Sequence, residues 1–181
     1  ESGAGIILMY DAGGATIRNF GSIESVGDFG VNLTLVSLGQ ATSTVFNRGQ
    51  ISGGDGSFTG SINVDAVVNR GVMIGDVLTN AGDDTIDNRR GSIDGDVVLG
   101  TGNDVLNNRN GWIEGKIFGG DGNDSLIVSA LEDDIFDGGI GQDTIDYRFG
   151  PAVVVALDAS FDNAGGAVND GIVGVENLYG S

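Results

Sequence analysis

The chain has 181 residues, a net charge of −18 from 26 acidic and 8 basic side chains, 34 glycines, one proline, and no cysteine or histidine. Disulfides, thiol and imidazole chemistry and most zinc sites are excluded. Eight basic residues form no patch able to neutralise a phosphate backbone, so nucleic acid is not an expected partner. Of the 26 acids 21 are Asp, a short side chain suited to tight turns and to oxygen ligation of hard cations.

In chain order, residues 1–46 read as an irregular N-terminal β segment or cap, with strand-like runs at 5–10 and 31–38. Ile17-Arg18-Asn19-Phe20-Gly21-Ser22-Ile23 is a diverged first copy of a motif that returns at Asn47-Arg48-Gly49-Gln50-Ile51. From about Val68 the register is strict. Gly71, Gly91 and Gly111 are twenty residues apart, as are Met73, Ile93 and Ile113, then Val77, Val97 and Ile117, then Ile86, Leu106 and Leu126. Within one copy Ile93, Gly95, Val97 and Leu99 alternate with Asp94, Asp96 and Val98, which predicts a single strand with period two. One copy cannot bury its apolar face alone, so copies are expected to stack strand on strand, with apolar columns inside and two glycine-bearing corners per coil. The fold expected is all-β, a parallel β-solenoid with coils of about 20 residues over 47–146. Residues 147–181 are expected to form a C-terminal β segment leading toward further repeats, with a strand at 152–158. No apolar run reaches the ~20 residues of a membrane span. No signal peptide is visible, and the chain reads as a segment of something longer.

The chemistry lies in the acidic turns. Four times a glycine-bearing turn delivers an Asp, one variable residue and then Ile or Leu: NAGDDTID at 80–87, GTGNDVLN at 100–107, GGDGNDSLI at 119–127 and GGIGQDTID at 138–146. Stacking places Asp84, Asp104, Asp124 and Asp143 in one column. Residues 129–137 fit the same frame with the glycines lost, Asp134 at the acidic position and Phe136 at the apolar one; 165–172 is a weaker copy containing Asp170. Asp83, Asn103 and Asn123 read as turn formers.

At GGDGNDSLI, GGIGQDTID and, more loosely, GTGNDVLN, the chain resembles the repeats-in-toxin (RTX, hemolysin-type) family. The copies at 68–118 are similar to the N-x-G-x-I-x-G-D-V repeats of large bacterial secreted and surface proteins. The resemblance covers roughly 47–181 and is strongest over 80–146. It implies a β-roll with calcium in the turns, type I secretion and an extracellular or cell-surface location. Carried onto matching positions, it implies calcium ligation by Asp84, Asp104, Asp124 and Asp143 with the turn carbonyls of Gly100, Gly102, Gly119, Gly120, Gly122, Gly138, Gly139 and Gly141. A twenty-residue coil carries this turn on one side only, so a single main file of ions is expected at 80–128, where a regular β-roll has two.

A second edge carries Arg70, Arg89, Arg90 and Arg109 beside Asn88 and Asn108, which can stack as an amide ladder. The arginines read as offsetting Asp repulsion; the sharper reading is a strip for carbohydrate or carboxylate that includes Trp112, expected to point outward. The function expected is that of a calcium-binding, non-enzymatic structural or adhesive segment of a secreted or cell-surface bacterial protein, folding on calcium outside the cell, with a carbohydrate or other cell-surface ligand as partner. The alternative is a targeting or secretion module of a larger toxin or polysaccharide-acting enzyme. Clustered carboxylates serve glycan cleavage in some β-helices, but here they are periodic turn elements with no evident cleft.

Overall fold

A computed structural model describes residues 6–7, 14–34, 42–129, 135–154, 164–165 and 171–180. Every described element is a strand, and all but the antiparallel pair Val153–Val154 and Ala164–Gly165 stack into three parallel sheets that wind around one apolar interior. Sheet A has eight described strands, from Ile6–Ile7 to Gly171–Val173; sheet B has eight, from Thr16–Asn19 to Asn177–Tyr179; sheet C has five, from Ser22–Glu24 to Trp112–Ile113. The architecture is a parallel β-solenoid, as the repeat predicts.

One coil shows the plan. Val97–Thr101 lies in sheet A, an acidic turn follows, Val105–Asn107 lies in sheet B, an Asn-Arg corner follows, and Trp112–Ile113 lies in sheet C. A third corner at 114–116 returns the chain to Ile117–Asp121 in sheet A. The coil is therefore three-sided, and the expected two corners are corrected to three. The single strand expected over 93–99 is likewise divided: Ser92–Asp94 belongs to sheet C and Val97–Thr101 to sheet A. The sequence alternation hides the corner between them, because Ile93 and Val97 both point inward on either side of it and alternation runs through the bend. Side chains tie this corner from coil to coil: the Asp96 N–H donates to Asp76 Oδ1 at 2.9 Å, and the Lys116 N–H to Asp96 Oδ1 at 2.7 Å.

The apolar columns follow the sequence period. Sheet A stacks Val31, Phe58, Val77, Val97, Ile117 and Phe136; sheet B stacks Val45, Val67, Ile86, Leu106, Leu126 and Ile145; sheet C stacks Ile51, Met73, Ile93 and Ile113. None of these side chains is more than 2% exposed, and each buried aliphatic or aromatic group stabilises the fold by about 1.5–3 kcal/mol relative to exposure.

The stack begins well before residue 47. Thr16–Asn19, Ser22–Glu24 and Phe29–Asn32 join the same three sheets, and Ser43–Asn47 crosses the 46/47 division. Val31 and Leu33 are buried as their alternation predicts; the remainder of the 5–10 and 31–38 runs, apart from Ile6–Ile7, Asn32 and Thr34, lies outside the described residues. After Ile127 the coil changes. Ile135–Ile140 stacks directly on Ile117–Asp121, and Phe136 takes the apolar position opposite Ile117. Asp134 and Asp170 lie outside the described residues. Val153–Val154 pairs antiparallel with Ala164–Gly165; the rest of the run at 152–158, apart from Ala152, is not described. The chain then rejoins the stack, with Ile172 opposite Phe136 and Leu178 opposite Ile145.

Candidate metal column and arginine corner

The corner between sheets A and B leaves one backbone N–H per coil pointing along the solenoid axis, and the acidic side chain of the next coil accepts it. The N–H of Asp65 donates to Asp84 Oδ1 at 2.6 Å, that of Asp84 to Asp104 Oδ1 at 2.6 Å, that of Asp104 to Asp124 Oδ1 at 2.8 Å, and that of Asp124 to Asp143 Oδ1 at 2.8 Å. The Asp143 N–H donates to Glu176 Oε2 at 2.8 Å. The four expected Asp residues do form one column, and Asp65 and Glu176 extend it at either end. Both had a signal. Asp65 stands nineteen residues before Asp84 with Val67 two places on, and Glu176 precedes Asn177-Leu178 as Asp precedes x-Leu elsewhere. The loose glycine spacing around them hid both.

Asp84, Asp104, Asp124 and Asp143 each use one oxygen in this ladder, and Asp65 Oδ2 instead accepts the Ser61 N–H at 2.6 Å. The other oxygen is the unusual feature: Asp84, Asp104, Asp124 and Asp143 each bury Oδ2 without a hydrogen-bond partner, and Asp65 does so with Oδ1. None of these residues is more than 1% exposed. A buried carboxylate oxygen left unpaired costs more than a hydrogen bond returns, and the group either takes up a proton or finds a cation. Burial pushes the Asp84 carboxyl up to about 7, the neighbouring charges of Asp104 and Asp65 adding to burial and the Asp65 N–H opposing it. Burial likewise pushes Asp104 up to about 6, with Asp124 and Asp83 adding. Asp65, Asp124 and Asp143 are raised for the same leading reason.

The residue five before each Asp decides what lies beside the orphan oxygen. Before Asp124 it is Gly119. A Cβ there would sit 2.5 Å from Asp124 Oδ2 and would collide with the Gly138 carbonyl oxygen of the next coil. A carboxylate oxygen and a carbonyl oxygen thus face the same bare Cα. Before Asp143 it is Gly138, where Asp143 Oδ2 and the Gly174 carbonyl oxygen converge in the same way. Before Asp104 the position is Leu99, whose side chain is buried. Before Asp84 it is Thr79, whose hydroxyl donates to the Leu99 carbonyl at 2.6 Å.

The remaining expected glycines sit along the same corner. Gly100, Gly120 and Gly139 are in register in sheet A. Gly102, Gly122 and Gly141 follow at the turn, with φ of 132°, 143° and 154°. A Cβ on Gly122 would strike the Gly102 carbonyl oxygen, and one on Gly141 the Gly122 carbonyl oxygen, so only glycine lets successive turns approach this closely. Among the described residues the Gly102 and Gly122 carbonyls accept no hydrogen bond. No three acidic side chains gather around one point there either, so a cation in this column would depend on backbone carbonyls. The donor set, with hard oxygens from orphan carboxylates and, at Gly119 and Gly138, a backbone carbonyl facing the same glycine Cα, suits calcium. It is most complete at Asp124 and Asp143.

Asp83, Asn103 and Asn123 behave as turn formers. The Asn103 N–H donates to Asp83 Oδ1 at 2.8 Å, that of Asn123 to Asn103 Oδ1 at 2.9 Å, and that of Gln142 to Asn123 Oδ1 at 2.8 Å. All four are on the exposed side of the turn.

The Asn-Arg corner between sheets B and C holds an amide ladder longer than expected. Asn19, Asn47, Asn69, Asn88 and Asn108 are linked Nδ2 to Oδ1 at 2.7–2.9 Å, and the first four also donate to a backbone carbonyl. Outside it, Asp87 pairs with Arg70 at 2.6 Å and with Arg89 at 2.8 Å. Burial works against ionisation of Asp87, but hydrogen bonds from Arg89 and Arg70 outweigh it and hold the carboxyl well below the usual range. Arg148 does the same for Asp146. Trp112 stacks opposite Ser92 and is 48% exposed, pointing outward as expected.

Comparison with known proteins adds no relative: no family model, no curated protein and no solved structure matches this chain. Among the described residues no helix is long and apolar enough to cross a membrane.

Proposed function

We propose that this chain is a calcium-binding, non-enzymatic structural or adhesive segment of a secreted or cell-surface bacterial protein, and that calcium completes its fold outside the cell. The observation that carries this reading is the file of buried carboxylates with one orphan oxygen per coil, set in glycine turns that resemble RTX nonapeptides. Asp124 and Asp143, with the carbonyls of Gly138 and Gly174 and the turn glycines around them, are the residues that would hold the ion. Calcium supplies the positive charge that lets stacked carboxylates ionise inside the solenoid.

The chain's own residues supply the switch. The Oδ1 ladder fixes each carboxylate whether or not metal is present, so the ligands are pre-positioned once neighbouring coils pair. Without a cation the column must hold protons or carry buried negative charge. Binding to the folded state alone adds stability by mass action. A protein of this kind stays loose where calcium is scarce and folds where it is millimolar, which fits export before folding. Far-ultraviolet circular dichroism on metal-stripped protein at pH 8 tests the reading. The expected outcome is a weakened β spectrum restored at roughly 0.1–1 mM calcium, the range of extracellular modules, and not by magnesium. A spectrum and melting temperature indifferent to chelation would refute it.

A further inference from the structure

The arginine corner lies apart from the metal column. Arg70, Arg89, Arg90, Arg109 and Asn110 line a cavity of about 300 Å³, at the small end of ligand sites. Four of the eight basic residues in a chain of net charge −18 thus meet at one cavity. Among the described residues, one carboxylate forms ion pairs with them: Asp87 takes Arg70 and Arg89; Asp146, already paired with Arg148, acts on Arg109 through its charge alone. One coil on, Asn107 stands in register with Asp87, so Arg109 has no equivalent acid. Neither Arg90 nor Arg109 forms an ion pair among the described residues. Arg109 is nonetheless held in place. Its guanidinium lies over the Phe149 ring, 3.8 Å from the centroid, and its Nε is buried without a hydrogen-bond partner.

The backbone gives an independent indication. The first corner at the cavity reads Asn69-Arg70-Gly71, but the next two carry one more residue: Asn88-Arg89-Arg90-Gly91 and Asn108-Arg109-Asn110-Gly111. The added residue is left-handed in both, with φ of 65° at Arg90 and 54° at Asn110. Asn tolerates that conformation; Arg is a poor choice for it on backbone grounds. Strain held at such a position marks a side chain retained for something other than folding.

We propose that this corner binds a carboxylate-bearing sugar, a hexuronate unit of an acidic polysaccharide, through the forked N–H donors of Arg90 and Arg109. A guanidinium matches a carboxylate with two parallel hydrogen bonds, and a cavity of this size takes one compact unit. The same corner leads into Trp112, two residues past Asn110 and outside the cavity lining, whose exposed ring offers an apolar face. The assignment goes beyond the calcium reading and uses none of its residues.

The test titrates the calcium-saturated chain with a glucuronate-containing tetrasaccharide, with a neutral tetrasaccharide, inorganic phosphate and sulfate as further arms. Calorimetry and the fluorescence of Trp112, the single tryptophan, give the readouts. Saturable binding of the uronate and none of the neutral sugar is expected. Arg90→Gly removes the fork and relieves the left-handed backbone, so it is expected to weaken binding at least tenfold while the melting temperature holds or rises. Arg109→Lys, which keeps the charge but loses the fork, is expected to weaken it several-fold. No saturable uronate binding, or affinity unchanged in Arg90→Gly, overturns the proposal. Binding of phosphate or sulfate without the uronate overturns the sugar assignment and leaves a simple anion site.

Discussion

The coils of Asp84 and Asp104 and the coils of Asp124 and Asp143 share one ladder but surround it differently. In the first pair Thr79 and Leu99 occupy the position five before the Asp, and Leu99 is buried in the core. In the second pair Gly119 and Gly138 occupy it, and each leaves a neighbouring carbonyl oxygen beside the orphan carboxylate oxygen. Identical hydrogen bonding along the axis therefore supports two chemical solutions. Burial raises the carboxyls of both pairs; on the calcium reading proposed above, the pair with a glycine and a carbonyl at that position takes the cation and the pair with Thr or Leu there takes a proton.

The comparison can be broken first by exchanging the side chains that define it. Leu99→Ala should cost about 2–5 kcal/mol through the cavity it leaves, and the calcium response should survive. Gly119→Ala should destabilise by a comparable amount, since its Cβ would meet the Asp124 carboxylate and the Gly138 backbone, and it should also abolish most of the calcium response. Denaturant unfolding with calcium and with chelator separates the two.

A smaller effect isolates charge. Asp124→Asn with Asp143→Asn keeps the Oδ1 acceptors and removes the ligands. Calcium at a hundred times its dissociation constant contributes about 2.7 kcal/mol per site, and the double variant should lose that increment. Asp84→Asn with Asp104→Asn should retain most of it.

The pH dependence sharpens the contrast in metal-free protein. Asp84 and Asp104 hold protons up to about pH 7 and about pH 6, whereas unfolded Asp releases them near pH 3.9. Stability from this source is complete below about pH 4 and is lost as pH rises through about 6 to 7. Asp87 and Asp146 act oppositely: their lowered carboxyls contribute above the ordinary Asp value and lose that contribution below it. Metal-free protein should thus melt highest near pH 4–5 and several degrees lower at pH 8. Asp84→Asn with Asp104→Asn should flatten the decline, and saturating calcium should reduce it.

The smallest effect is expected at Trp112. Replacing it by Ser, the residue one coil earlier, should change stability by no more than about 0.5 kcal/mol, because the ring is half exposed.

Much of this was legible from spacing. The recurrence of Ile86, Leu106 and Leu126 and of Met73, Ile93 and Ile113 gave the apolar columns, and the step between acidic turns gave the Asp column. The third corner was not legible, because Ile93 and Val97 keep the same inward parity across it. Asp65 and Glu176 were masked by turns whose glycines have diverged, although the apolar residue two places on survives in both. The division within the column is not legible from the Asp spacing, because only packing shows that Leu99 fills the core at the position five before Asp104, where Gly119 leaves a carbonyl and a carboxylate oxygen facing its Cα before Asp124. The left-handed backbone at Arg90 has no sequence signature, since Arg rarely adopts it.

The most direct test is a calorimetric calcium titration of metal-stripped protein at pH 8, run in parallel on the wild type, Asp124→Asn/Asp143→Asn and Asp84→Asn/Asp104→Asn. The expected result is saturable binding by the wild type and by the Asp84/Asp104 variant, and its loss in the Asp124/Asp143 variant. Equal binding by all three, or no binding by the wild type, would contradict the account.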